Sequence, residues 1–174
     1  PGFIGLFMRQ SQKDIPARDR LIFALDVPTH EEAKKLVEAL GGSVTFYKVG
    51  LELFMAENYI DFVKWLTGQG KQVFVDLKFF DVPQTVGAAV RQLRNLGASF
   101  ATVHGNDAIL AAAVKEKGDL KILAVTVLTS LDDGDLKDLG FQVDAQSVVL
   151  SRAKRALAIG CDGVVSSGLE APAL

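Results

Sequence analysis

A chain of 174 residues, 49% of them hydrophobic, is long enough to bury one real core and too apolar to stay disordered. Its formal charge of −2, with charges scattered and no long run, offers no electrostatic footprint for nucleic acid or an anionic membrane. The single cysteine, Cys161, excludes an internal disulfide framework and a thiol metal cluster, and no apolar run approaches the roughly 20 residues that cross a bilayer.

The chain opens on Pro1-Gly-Phe-Ile-Gly-Leu-Phe7, short and apolar, and turns polar at Met8-Arg-Gln-Ser-Gln-Lys13. It lacks the basic leader and small-residue cleavage site of a secretory signal. Met8 reads as a natural start, so residues 1–7 are expected to be of cloning or gene-assignment origin within an N-terminal extension over 1–19. The expected compartment is the cytoplasm.

From Leu21 onward, short apolar runs alternate with helical patterns. Leu21–Leu25 is the first predicted strand, ending at Asp26. Thr29 and Glu32 are spaced as a capping box for a helix over Glu31–Leu40, stopped by Gly41-Gly42. Val44–Gly50 is the second strand. A helix over 57–67 follows, closed by Gly68-Gln-Gly70. Strand three is Gln72–Leu77, and Pro83 suits the first turn of a helix over Gln84–Leu96. Strand four, Phe100–Val103, ends at His104-Gly105. Then come a helix over Asp107–Lys117, strand five over Ile122–Leu128, a short helix over Leu131–Leu139, a longer one over Ala145–Ala158, and strand six over Gly163–Ser166.

Six such units predict right-handed βαβ crossovers and a parallel sheet. A dinucleotide-binding doubly wound sheet would carry a Gly-rich turn after strand one, where this chain has Asp26-Val-Pro. Polar residues gather instead at the C-terminal ends of several strands: Asp26, Lys48, Asp76 with Lys78, His104, and Thr129 with Ser130. Barrel enzymes collect their chemistry at that rim, so the predicted fold is α/β, a (β/α)8 TIM barrel. Residues 20–174 then supply about six units, and closure calls for roughly 50–60 residues more.

The strongest local signal is Val73-Phe-Val-Asp-Leu-Lys-Phe-Phe-Asp-Val-Pro83, where an apolar strand ends in three charges within six residues. Strand alternation puts Asp76 and Lys78 on one face. Charges at the mouth of a core are costly unless paired, and such a pair is a candidate for chemistry. Taken alone it is equally an edge-strand ion pair; Lys48 on the adjacent strand tips the balance toward catalysis. Other residues carry competing plain readings. Lys48 by itself fits a snorkelling lysine, Asp26 a turn or helix cap, and Thr129 and Ser130 caps of the next helix. His104 fits a satisfied structural histidine, Cys161 a packed thiol, and Phe79 and Phe80 packing or interface residues.

The segment Asp76-Leu-Lys-Phe-Phe-Asp81-Val-Pro-Gln-Thr85 closely resembles the Asp-x-Lys-x-x-Asp-(Ile/Val)-Pro-x-Thr signature of the orotidine 5′-phosphate decarboxylase family. Ala24-Leu-Asp26, Lys48-Val-Gly50, Val103-His-Gly105, Val125-Thr-Val-Leu-Thr-Ser130 and Asp162-Gly-Val-Val-Ser166 agree in order and spacing, over residues 20–171. The resemblance implies a homodimeric barrel that converts orotidine 5′-phosphate to UMP and CO₂, the last step of de novo pyrimidine nucleotide synthesis, with no metal and no organic cofactor. It implies a charged network of Lys48, Asp76, Lys78 and Asp81, with Lys78 protonating C6. Asp26 and Lys48 would hold ribose hydroxyls, Thr129 and Ser130 would lie near the pyrimidine, and Asp81 and Thr85 would serve the neighbouring subunit's site. It also places phosphate binding on a Gln-bearing loop after strand six and an Arg near strand eight. Neither falls within residues 1–174, so this stretch by itself is expected to be a very poor catalyst. Two alternatives remain open here: a Mg²⁺-dependent sugar-phosphate decarboxylase or aldolase of the same wider group, which Lys48 disfavours because those relatives are acidic there, and an inactive assembly or binding module.

Overall fold

A computed structural model of the chain describes residues 14–168 and 173–174. The expectations about residues 1–7 lie outside the described residues. After a 3₁₀ turn at Ala17–Asp19 come β1 (Phe23–Ala24), α1 (His30–Leu40), β2 (Phe46–Gly50), α2 (Leu51–Met55), α3 (Tyr59–Gly68) and β3 (Gln72–Phe79). They are followed by α4 (Pro83–Asn95), β4 (Phe100–His104), α5 (Asp107–Glu116), β5 (Lys121–Val125), α6 (Asp133–Asp138), α7 (Ala145–Ile159) and β6 (Gly163–Val165).

Every strand pairs in parallel with its successor, in the order β1-β2-β3-β4-β5-β6. That sequential order belongs to a barrel wall; a doubly wound sheet reverses order beside strand one. The reason lies in the apolar residues. β2 and β4 are buried along most of their length, as strands covered on both faces must be. One continuous core joins Tyr47, Val49, Val73, Val75, Ala101 and Ile122 of the strands to Val37, Phe62, Val63, Val90 and Ala113 of the surrounding helices. A small second cluster, Val127, Leu136, Val148 and Val149, holds the segment after β5.

Helix ends follow local chemistry. Thr29 Oγ1 accepts from the Glu32 amide at 3.2 Å, which is the N-cap half of the expected capping box. Pro83 occupies the first turn of α4. Two expectations need correction. A short helix, α2, starts directly at the end of β2, and its five residues are too few to show a helical period. The cap of α6 is Asp132, in a reciprocal box with Asp135, and not Thr129 or Ser130. A carboxylate one residue before the helix outcompetes hydroxyls lying further back.

Cys161 is buried at the end of α7, and burial pushes its thiol pKa up to about 11. It is a packed thiol, as expected. No described helix is long and apolar enough to cross a membrane.

Candidate active site

The rim residues of the first three strands form one row of alternating charge. Lys48 Nζ donates to Asp26 Oδ1 at 3.2 Å and lies 3.6 Å from Asp76 Oδ2. Asp76 Oδ1 accepts from Lys78 Nζ at 3.0 Å. The row therefore reads Asp26, Lys48, Asp76, Lys78, with minus and plus in strict turn. Its middle is sheltered, Asp76 having 15% and Lys48 23% of the side chain exposed, while Lys78 at 37% and Asp26 at 63% open toward solvent.

Gly50 lies against it: a Cβ there would stand 3.7 Å from Lys48 Nζ and 3.9 Å from Asp26 Oδ1, in ordinary van der Waals contact with the row. Below the row, Tyr59 donates its hydroxyl to Val49 O at 3.4 Å. Burial first, and the Asp76 charge second, push its phenol far above the ordinary range, which keeps it neutral.

The pairing of Asp76 with Lys78 comes about differently from the alternation argument. β3 is not a regular strand at this point. Val75 faces Ala101 and Phe79 faces Val103, so Asp76, Leu77 and Lys78 stand opposite the single residue Thr102. The chain bulges, and Lys78 adopts a left-handed backbone with φ +47°. For a lysine this conformation is strained, and bulges of this kind re-aim a side chain beside an active site. Thr102 closes the gap from β4: the Lys78 amide donates to Thr102 Oγ1 at 2.9 Å, and that hydroxyl donates to Asp76 Oδ1 at 2.9 Å. Sequence reasoning missed Thr102. The available signal was a polar residue inside the apolar run Phe100–Val103.

The remaining predicted residues are not drawn into this row. Asp81 Oδ1 accepts from the Val82 amide at 2.6 Å in an exposed turn ahead of α4. Thr85 is exposed on α4 itself, and Thr129 and Ser130 lie in an exposed turn after β5. Phe79 packs against the core, whereas Phe80 is 70% exposed. His104 departs from the satisfied histidine expected. Its Nδ1 is enclosed without a hydrogen-bond partner, and its ring lies 5.3 Å from that of Phe80. Burial, and then the charge of Arg152, lower its pKa, so the imidazole is neutral.

Comparison with known proteins bears on this geometry. The family model described as orotidine 5′-phosphate decarboxylase / HUMPS family matches residues 19–174. The chain belongs to that family. It is 68% identical over 164 residues to the orotidine 5′-phosphate decarboxylase of Methylococcus capsulatus, covering 94% of this chain and 68% of that protein. To the enzyme of the same name from Xanthomonas campestris pv. campestris it is 48% identical over 166 residues, with the same shares covered. The crystal structure of orotidine 5′-phosphate decarboxylase from Lactobacillus acidophilus superposes with a TM-score of 0.80 at 39% identity, over 86% of this chain and 72% of that one. The six parallel βα units are thus part of the decarboxylase barrel fold, and the chain spans about two thirds of the length of these curated relatives.

Proposed function

We propose that the protein is an orotidine 5′-phosphate decarboxylase, a carboxy-lyase of pyrimidine nucleotide synthesis, and that the row Asp26–Lys48–Asp76–Lys78 is its reacting centre. The observation that carries this is the unbroken alternation of charge across β2, β3 and Asp26, which follows β1. The chemistry asks for such an arrangement. Breaking the C6–carboxylate bond leaves its electron pair on a ring carbon that cannot delocalise it well. The Lys78 ammonium, held beside that carbon, stabilises the developing charge and then delivers a proton to C6. Water returns a proton to the amine. Asp76 faces the substrate carboxylate, a like-charge contact relieved as CO₂ departs. Lys48 locks Asp76 from the other side, and Asp26, the most exposed of the four, is positioned for ribose hydroxyls.

A Mg²⁺-dependent sugar-phosphate reaction fits the row less well. The place between the Asp26 and Asp76 carboxylates, where a hard cation would sit, is taken by Lys48 Nζ. The decisive experiment is release of CO₂ and UMP from orotidine 5′-phosphate by the protein at its natural length. Turnover undiminished by EDTA is the expected result; absence of turnover, or rescue by Mg²⁺ after chelation, overturns the reading.

The site is also proposed to be shared between two copies of the chain. Asp81 lies outside its own row, on a turn flanked by the exposed apolar side chains Phe80 and Val82. Exposed apolar surface of that kind is a protein–protein contact in the making. A second copy docking there would receive Asp81 and Thr85, while Thr129 and Ser130 would face the pyrimidine of their own site. Lys48→Ala and Asp81→Ala homodimers are each expected to be nearly inactive, and mixing them to regain up to a quarter of normal activity, because one site of each hybrid has both residues. No recovery once hybrids have formed refutes sharing. The phosphorylated substrate argues for the cytoplasm as the compartment.

A further inference from the structure

We infer that Thr102 is a positioning residue for the decarboxylation, holding Lys78 and Asp76 in register through one buried hydroxyl; this rests on the decarboxylase reading of the site. Thr102 is fully buried, its chain neighbours Ala101 and Val103 are buried apolar residues on the other face of the strand, and it shares its own face with Phe100 and His104. Valine has almost the same shape. A buried hydroxyl at such a place is a net cost unless its hydrogen bonds are made.

Those bonds are directed. The other buried threonine among the described residues, Thr126, donates to the Val165 backbone and ties two strands together. Thr102 does something else. It accepts the Lys78 amide and donates to the carboxylate that in turn receives Lys78 Nζ. Backbone amide, hydroxyl, carboxylate and ammonium therefore make a closed circuit around one residue. Within it the left-handed Lys78 has its amide satisfied in the middle of a bulge, where the strand ladder offers no partner. The hydroxyl proton is committed to Asp76 because its oxygen is engaged by the amide. Asp76 Oδ1 is thereby held to the Lys78 side, leaving Oδ2 for Lys48.

Loss of the hydroxyl frees both ends of the circuit, so the chemical step suffers while substrate binding through the rest of the site does not. For Thr102→Val the expected result is a kcat lowered by about 10²-fold, the scale of a sub-ångström to 1 Å misplacement of a reacting group, with KM within about threefold of the parent. Thr102→Ser, which keeps the hydroxyl, is expected within about fivefold of the parent kcat. A purely structural threonine would show the opposite order, with the shape-preserving valine milder than serine. If valine does not fold, Thr102→Ala against Thr102→Ser isolates the hydroxyl in the same way, and kcat values within about threefold of each other overturn the proposal. Amide hydrogen exchange gives a readout independent of turnover. Exchange at Lys78 should accelerate in the valine or alanine variant and not in serine, and unchanged exchange also overturns it. A parent protein that turns over no orotidine 5′-phosphate would instead sink the functional reading, with the exchange result still judging Thr102.

Discussion

Lys78→Ala is expected to lower turnover of orotidine 5′-phosphate by at least about 10⁴-fold, the product of losing a positioned proton donor and the charge that steadies the carbanion. Folding should survive, because the Lys78 side chain is more than a third exposed and its ammonium meets a single carboxylate at 3.0 Å. The backbone makes a second, independent demand. At φ +47° an alanine is as strained as a lysine, whereas glycine is not. Lys78→Gly should therefore be as inactive as Lys78→Ala but more stable by about 1 kcal/mol in urea denaturation. Near-normal turnover in either variant removes Lys78 from the chemistry. Equal denaturation midpoints would count against the left-handed geometry.

Asp76→Asn is expected to cost at least about 10³-fold in kcat without raising KM. Asp76 is the hub of the row, meeting Lys48 at 3.6 Å, Lys78 at 3.0 Å and the Thr102 hydroxyl at 2.9 Å. An amide can still accept from Thr102, so the bulge should persist, but the negative charge between two ammoniums is gone. If Asp76 opposes the substrate carboxylate, its neutralisation removes an interaction unfavourable to the bound substrate and relieved in the transition state. That pattern lowers kcat while leaving KM unchanged or reduced. The same change should lower stability by about 1–3 kcal/mol, the range for a partly sheltered charge-assisted hydrogen bond exchanged for a neutral one. A raised KM at unchanged kcat would reassign Asp76 to ordinary substrate binding.

Much of the architecture was legible because apolar period and punctuation are local properties. Thr29, Pro83 and Gly41-Gly42 mark helix ends by side-chain chemistry and backbone freedom that act within a few residues. Charges in or just after strands are equally readable, since Asp26, Lys48 and Asp76 each interrupt or end an apolar run. Alternation brought Asp76 and Lys78 together for an incomplete reason. Their contact needs a bulge, and a bulge is decided by what the neighbouring strand offers, here a hydroxyl 26 residues away from Asp76. No window along the chain contains that partner. The short helix α2 escaped for the converse reason: five residues are too few to show a period.

Residue types and spacings determined by themselves that this chain builds parallel βα units, places charges in or just after three neighbouring strands, and carries the decarboxylase signature over Asp76–Thr85. Only the tertiary structure decided how the charges meet. It set the order Asp26, Lys48, Asp76, Lys78 by strand register, aimed Lys78 through a left-handed bulge, enlisted Thr102, and left Asp81 outside the row of its own chain. The physical reason is range: propensity and period act over a few residues, whereas a hydrogen bond across strands is set by register and packing.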